Sequence, residues 1–336
     1  MYIGWDQEGA SQLFRINSSD EPVQLTDLSE GVQDFSIASD GRLIVLTTFS
    51  EGGSNTIWRL DSDGTNYVQI LDCQEMMCSQ PVWFPGQERI IYERREVTSN
   101  GIEGSPFLWW LDVGSGESQQ LFEDAETRGN AVSFSSDGEW LSYLSPEDEG
   151  LYVYNFDSRK SQFFPAEVGM PAAWSPTNEK IVVPNLDLVI IHGDEGDDHL
   201  EHTHDYQSST HLFIGDVRTG EFISISGDQT VEDNVPSWSP DGSQIAFGRR
   251  PPGTAAGRQM WVMDLDGSNA QPLLNEPNLN YGPPTWSPDG RYLLFQRFDL
   301  SHPEGFPGIW IFDLEMGNLI EVVSEGMQPQ WLVEKS

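Results

Sequence analysis

The chain has 336 residues, with 17 Lys and Arg against 54 Asp and Glu, a formal charge of −37. Such a surface repels phosphate backbones and acidic bilayers, which argues against nucleic-acid binding and against membrane docking. The acids are interleaved with apolar residues along the whole length, so they read as a solvated surface and not as a disordered tail.

Gly (32), Pro (21), Phe (17) and Trp (12) are all plentiful, and no stretch of ten residues has clean helical periodicity. Turn residues spaced among aromatics predict many short strands. The start, MYIGWDQEG, lacks the basic segment and apolar stretch of a leader. The expectation is therefore a cytoplasmic chain, or an extracytoplasmic (periplasmic or secreted) domain whose signal peptide has been removed. The apolar run LDLVII at 186–191 falls far short of the ~20 residues a membrane span needs, so no insertion is expected.

In chain order, two patterns alternate. The N-terminal LFRINSSDEPVQL (13–25) is a copy of the second pattern with no first pattern ahead of it. QDFSIASDGRLIVLTT is then followed by IWRLDSDGTNYVQIL, and QPVWFPGQERIIYERR by LWWLDVGSGESQQLF. NAVSFSSDGEWLSYLS precedes LYVYNFDSRKSQFF, and PAAWSPTNEKIVVPNL precedes LFIGDVRTGEFISI. The clearest copies come last: VPSWSPDGSQIAFGRR with MWVMDLDGSNAQPLL, and PPTWSPDGRYLLFQRF with IWIFDLEMGNLIEVV. QPQWLVEKS ends the chain. The aromatic anchors are read as Phe35, Trp83, Phe134, Trp174, Trp238, Trp286 and Trp331, spaced by 48, 51, 40, 64, 48 and 45 residues.

Each unit reads as four antiparallel strands. Strand a carries the anchor, and an SPDG-type turn leads into strand b: Pro fixes φ, Asp bonds its own backbone, and Gly accepts positive φ. A variable connection leads to strand c, and a tight DG hairpin leads to strand d. DSDGTN (61–66) and DLDGSN (264–269) fall at such hairpins and lack the distal Glu of a calcium loop. Strand c is apolar on both faces, so each sheet is covered on both sides, as stacked blades supply. The fold expected is all-β, a seven-bladed β-propeller in one domain. Its blade 1 joins 328–336 to 1–30, and the others span 31–79, 80–130, 131–168, 169–232, 233–281 and 282–327. Strands from both termini thus share one blade and close the ring.

WSPDGSQIAF with MWVMDLDGSNAQPLL, and WSPDGRYLLF with IWIFDLEMGN, resemble the TolB-like family of WD-repeat-like propellers. The resemblance covers essentially the whole chain and implies fold more than function. TolB itself has an added N-terminal α/β domain and six blades, so its cell-envelope role does not carry over directly.

The a–b and c–d turns are short, whereas the b–c connections are long and irregular. Variable loops on a rigid scaffold are where binding usually resides. Six of the fourteen arginines, Arg94, Arg95, Arg249, Arg250, Arg258 and Arg297, lie in or beside b–c connections, with His302 in the last of them. They read either as a ligand-binding face for a carboxylate or as partners of the protein's own acids. The longest connection, HGDEGDDHLEHTHDYQSSTH (192–211), holds five of the six histidines. His192, Asp194, His199, His202 and His204 could hold a divalent metal, Zn²⁺ or Ni²⁺ through imidazole and Ca²⁺ or Mn²⁺ through oxygen. The same stretch also reads as a solvated acidic loop, and no HExxH spacing appears. Cys73 and Cys78 share one predicted loop, and a disulfide there is expected, which favours an oxidising compartment.

These readings lead to a monomeric, non-catalytic binding propeller whose long-loop face takes a protein, a peptide or an anionic saccharide. No cofactor is required beyond the possible metal. The alternative is a metal-dependent enzyme of the oligogalacturonate-lyase type, related propellers that use a His-bound metal in the channel. In those enzymes the ligands come from several blades, and here they come from one loop. A prolyl-oligopeptidase-like protease needs a GxSxG elbow, which is absent from this sequence.

Overall fold

A computed structural model describes residues 1–17, 21–49, 55–98, 101–123, 126–191, 205–227 and 231–333. The histidine stretch 192–204 lies outside them. Seven antiparallel sheets are arranged as a propeller, with no helix among the described residues. Blade 1 contains β1 (Tyr2–Trp5), β2 (Ser11–Arg15) and β3 (Val23–Gln24). Blade 2 contains β4 (Val32–Ile37), β5 (Leu43–Thr48), β6 (Thr56–Asp61) and β7 (Val68–Asp72). Blade 3 contains β8 (Met76–Trp83), β9 (Arg89–Thr98), β10 (Gly101–Asp112) and β11 (Ser118–Gln120). Blade 4 contains β12 (Asn130–Phe134), β13 (Trp140–Ser145), β14 (Gly150–Asn155) and β15 (Lys160–Pro165). Blade 5 contains β16 (Ala173–Trp174), β17 (Lys180–Ile191), β18 (Asp205–Asp216) and β19 (Phe222–Ser224). Blade 6 contains β20 (Glu232–Trp238), β21 (Gln244–Arg250), β22 (Gln259–Asp264) and β23 (Gln271–Pro272). In blade 7 the inner strand is split into β24 (Leu279–Tyr281) and β25 (Thr285–Trp286), followed by β26 (Tyr292–Asp299), β27 (Gly308–Asp313) and β28 (Asn318–Val323). The split falls at Gly282-Pro283-Pro284, where proline cannot donate to the ladder.

Blade 1 obtains its inner strand from the other end of the chain. Ile3 and Met327 exchange both backbone hydrogen bonds, at 2.9 and 2.8 Å, and the Gln330 N–H donates to the Met1 carbonyl at 2.8 Å. Two side chains then reach on to blade 2, Gln328 to the Gln33 carbonyl and Gln330 to the Phe35 carbonyl.

Strand c places alternate residues in different interfaces. Met260 and Val262 pack toward blade 7, while Trp261 and Met263 pack toward blade 5. Each blade is therefore the shared wall of two cores. The DG hairpins are ordinary Asx turns: the Thr65 N–H bonds the Asp63 carboxylate, the Ser268 N–H bonds that of Asp266, and Gly64 and Gly267 supply the positive φ.

Register corrects one anchor. Trp83, Phe134, Trp174, Trp238 and Trp286 each lie opposite a fully buried aliphatic residue of strand b: Ile90, Leu141, Ile181, Ile245 and Leu293. In blade 2 the residue opposite the matching Ile44 is Ile37, not Phe35. The aromatic rule misplaced it by two residues because an aliphatic side chain occupies the anchor position there.

The corrected position exposes a regular coupling. Trp83 Nε1 donates to the Ser36 carbonyl at 2.9 Å, and Trp174 Nε1 to that of Ser133 at 3.3 Å. Trp238 bonds Ala173 at 3.0 Å, Trp286 bonds Ser237 at 3.1 Å, and Trp331 bonds Thr285 at 3.1 Å. Each acceptor is the residue just before the anchor of the preceding blade. Trp238→Phe keeps the ring but removes the donor, and the expected cost is about 2 kcal/mol, from a lost hydrogen bond and some lost packing. A urea titration reads this as a lower midpoint at unchanged slope; a midpoint equal to wild type would show the indole bond to be idle.

Candidate functional site

The b–c connections all leave the sheets on one side. Two of them are built outward as long hairpins. β17 and β18 pair without a break from Lys180↔Asp216 to Ile191↔Asp205, and β9 and β10 pair out to Thr98↔Gly101. The b–c pairing in blade 4 stops after six residue pairs, at Ser145↔Gly150.

The inner strands on this side carry a shared irregularity. Gln80, Ala131 and Val235 sit at β-bulges with φ of 51°, 51° and 50°, and Gln328 has φ of 50°. Such a residue turns its N–H away from its own ladder. In three of the four the donor is taken up by the preceding blade. Gln80 N–H bonds Asp34 Oδ2 at 3.0 Å, Ala131 N–H bonds Glu93 Oε1 at 2.9 Å, and Gln328 N–H bonds Gln296 Oε1 at 3.2 Å. Asp34 and Glu93 are 4% and 3% exposed. Burial raises both carboxyls, Asp34 to about 6, with the Glu93 charge adding to the rise and the Thr47 hydroxyl opposing it. These acids went unnoticed in the sequence. For Asp34 the signal was a lone carboxylate inside the strand VQDFSI.

The arginines separate into groups. Arg249 makes two 2.7 Å bonds to Asp233, which is fully buried, and its guanidinium lies 4.8 Å from the Trp261 ring centroid. Arg250 bonds Glu232, and Arg95 bonds Glu93 at 3.0 Å. Arg94 lies over Trp109 at 4.6 Å and Arg297 over Trp310 at 3.6 Å, the same strand b to strand c stacking as Arg249 on Trp261. Arg258 differs. It is partly buried beside Arg250 and has neither an ion pair nor a ring stacked on it among the described residues; its Nε, like those of Arg94 and Arg95, has no hydrogen-bond partner there. Its pKa is lowered by burial and then by the Arg250 charge, with the Glu232 charge opposing. His302 is exposed and bonds Asp299 at 3.0 Å; Asp299 falls to about 2, chiefly through the Ser301 hydroxyl.

Of the metal candidates, His192, Asp194, His199, His202 and His204 lie outside the described residues. Their neighbour His211 is 1% exposed on β18 with Nδ1 3.3 Å from Asp187, so it belongs to the hairpin body. No group of three potential metal ligands occurs among the described residues. Cys73 and Cys78 are bonded, with Cα atoms 6.2 Å apart, and both are buried below the b–c face where β7 meets β8. The Asn55 side chain pairs with the backbone of Cys78 from blade 2.

No family model matches the chain. Among curated proteins it is similar to the uncharacterized protein Atu1656 of Agrobacterium fabrum, at 24% identity over 230 residues, covering 64% of this chain and 69% of that one. Its fold is similar to TolB from Acinetobacter baumannii, with a TM-score of 0.53 and 16% identity over 86% of this chain and 66% of TolB. An oligogalacturonate lyase in complex with manganese gives 0.54 at 18% identity, over 86% of this chain and 74% of the lyase. A puromycin hydrolase gives 0.66 at 13% identity, over 98% of this chain and 52% of the hydrolase. The chain thus spans just under two thirds of TolB and about half of the hydrolase. At these identities the likeness shows the propeller fold alone.

Asp34 gives a pH test. Its folded pKa, about 6, lies above the unfolded value of 3.8, so the fold favours the neutral acid. Its stabilising contribution is complete below about pH 4 and is lost as pH rises through about 6, a change of about 3 kcal/mol. The stability difference between wild type and Asp34→Asn is expected to follow that curve. A difference that stays flat from pH 4 to 7 contradicts the burial of an ionising Asp34.

Proposed function

We propose that the protein is a non-catalytic binding propeller that engages a protein, peptide or acidic saccharide on its b–c face. The observation that carries this reading is the one-sided outgrowth of the β9–β10 and β17–β18 hairpins from an otherwise uniform ring. Most of the arginines on that face are matched by internal acids or stacked on tryptophans, which assigns them to the scaffold. Arg258 is the exception. A half-desolvated guanidinium with a cation beside it gains most from a carboxylate brought by a ligand. The role is extracytoplasmic in this reading, supported by the Cys73–Cys78 bond and by an acid-rich surface with three lysines.

The test is a panel of peptides and of acidic and neutral saccharides on the full chain. Three variants accompany it: Arg258→Gln, a β9–β10 hairpin with residues 97–102 replaced by Asn-Gly, and Glu315→Gln on the opposite, c–d side. A bound ligand is expected to dissociate unchanged. Its affinity is expected to fall about tenfold or more in the first two variants, since one charged contact is worth about 1.4 kcal/mol or more, and to hold in the third. Chemical turnover of the ligand, or equal binding by all variants, refutes the proposal.

A further inference from the structure

Three aromatic rings stand on the b–c side where blades 7, 1 and 2 meet. Trp5 ends strand b of blade 1, Phe49 follows strand b of blade 2, and Phe306 lies in the connection after strand b of blade 7. The Trp5 and Phe306 rings touch, with centroids 3.9 Å apart, yet Phe306 remains 54% exposed. Phe49 is 50% exposed and belongs to the same sector. Its N–H bonds the Gly31 carbonyl, the next carbonyl, of Val32, accepts from Ser11 Oγ, and Ser11 lies opposite Trp5 in the ladder. Large apolar side chains gathered on an exposed surface mark an interaction site, whereas scattered ones do not.

The connections that hold the rings are braced. Asp6 accepts from the Glu8 and Ala10 N–H groups at 2.9 Å and from Gln12 Nε2 at 3.0 Å. Asp299 accepts from the Ser301 N–H at 2.9 Å, and the Gly305 N–H bonds the His302 carbonyl at 2.9 Å. The rings are therefore set before a partner arrives, which lowers the ordering cost of binding. The charges around them have one sign. Residues 1–14, 27–34, 46–49 and 298–308 contain no Lys or Arg. Glu8, Glu30 and Glu304 are exposed there, beside the two bracing aspartates. Arg297, next in the chain, is laid over Trp310, and His302 bonds Asp299. Aromatic faces rimmed by carboxylates attract a cation through the ring quadrupole and through charge, and they repel an anion.

We propose that this sector docks a basic peptide segment of a protein partner, with one Arg or Lys side chain over the Trp5–Phe306 pair and neighbouring cations on Glu8 and Glu304. The proposal rests on the reading of the b–c face as a binding face and adds the chemistry of the partner. It is separate from Arg258 in blade 6, which calls for a carboxylate.

An acetylated and amidated peptide of alternating Arg and Leu is titrated into the full chain by calorimetry at physiological salt, beside a peptide with Glu in place of Arg. Saturable one-to-one binding of the Arg peptide is expected, and none of the Glu peptide. Phe306→Ser is expected to weaken binding about tenfold. That variant leaves the charge of −37 unchanged, so general attraction of a basic peptide is blind to it. Glu8→Gln with Glu304→Gln is expected to weaken binding about fivefold, the loss of two exposed ion pairs. Thermal melts check that the variants fold; the glutamine pair alters no packing and decides the matter should Phe306→Ser melt early. Arg258→Gln is expected to leave the affinity unchanged, because this peptide carries no carboxylate. Failure of this peptide beside success of the Arg258 and hairpin variants on their own panel removes this sector alone, and the reverse removes only the carboxylate contact. No saturable binding, equal binding by wild type and both variants, or Phe306-dependent binding of maltohexaose with none of the peptide overturns the proposal.

Discussion

Three inner strands make a backbone hydrogen bond to a side chain of the preceding blade in place of one to their own sheet. Gln80, Ala131 and Gln328 all turn an N–H outward in the left-handed region, and Asp34, Glu93 and Gln296 receive it. Five indoles add a second bond between blades on the same strands. Blades 3 and 1 carry both bonds and blades 4 to 7 one of the two, so rotating any of these blades against the one before it breaks at least one inter-blade hydrogen bond. The apolar clusters fill the space between blades, but these directional bonds fix how the blades are set.

That constraint shapes the loop-bearing side. The bulges lie at the start of strand a, beside the ends of strand b, so the acids that satisfy them sit just beneath the loops. Burial raises both acids, the Glu93 charge adds to the rise of Asp34, and the fold tolerates the cost because each has a fixed donor. The same logic accounts for Arg249 and Asp233. A fully buried acid without its guanidinium costs several kcal/mol, so that arginine belongs to the scaffold and not to a ligand. The acidic surface and the scarcity of free cations then leave Arg258 as the exception on this face.

The fold was legible in the sequence because the turn chemistry repeats: SPDG and its variants mark the a–b turns of blades 2 to 7, and short turns rich in Asp and Gly, two of them DG, mark the c–d hairpins. The joining of the two ends could be read from the unmatched pieces at 13–25 and 328–336. Ile37 was missed because the pattern sought aromatics where packing requires only a large apolar side chain. Asp34 and Glu93 were missed because a buried acid and a surface acid look alike in a strand until the neighbouring blade is placed against them. The arginines were visible, and only geometry separated those bound to internal acids from Arg258.

The central claim is that the ring is one cooperative body held by bonds between inner strands, with the C-terminal segment as its closing piece. The most direct measurement is guanidinium unfolding of a chain lacking residues 326–336, followed by Trp fluorescence and far-ultraviolet circular dichroism together. The account expects a much lower midpoint and separate transitions for the two probes, because blade 1 loses its inner strand and blades 7 and 2 lose their contacts to it. Coincident transitions at the wild-type midpoint would contradict it and would show that each blade stands by its own core alone.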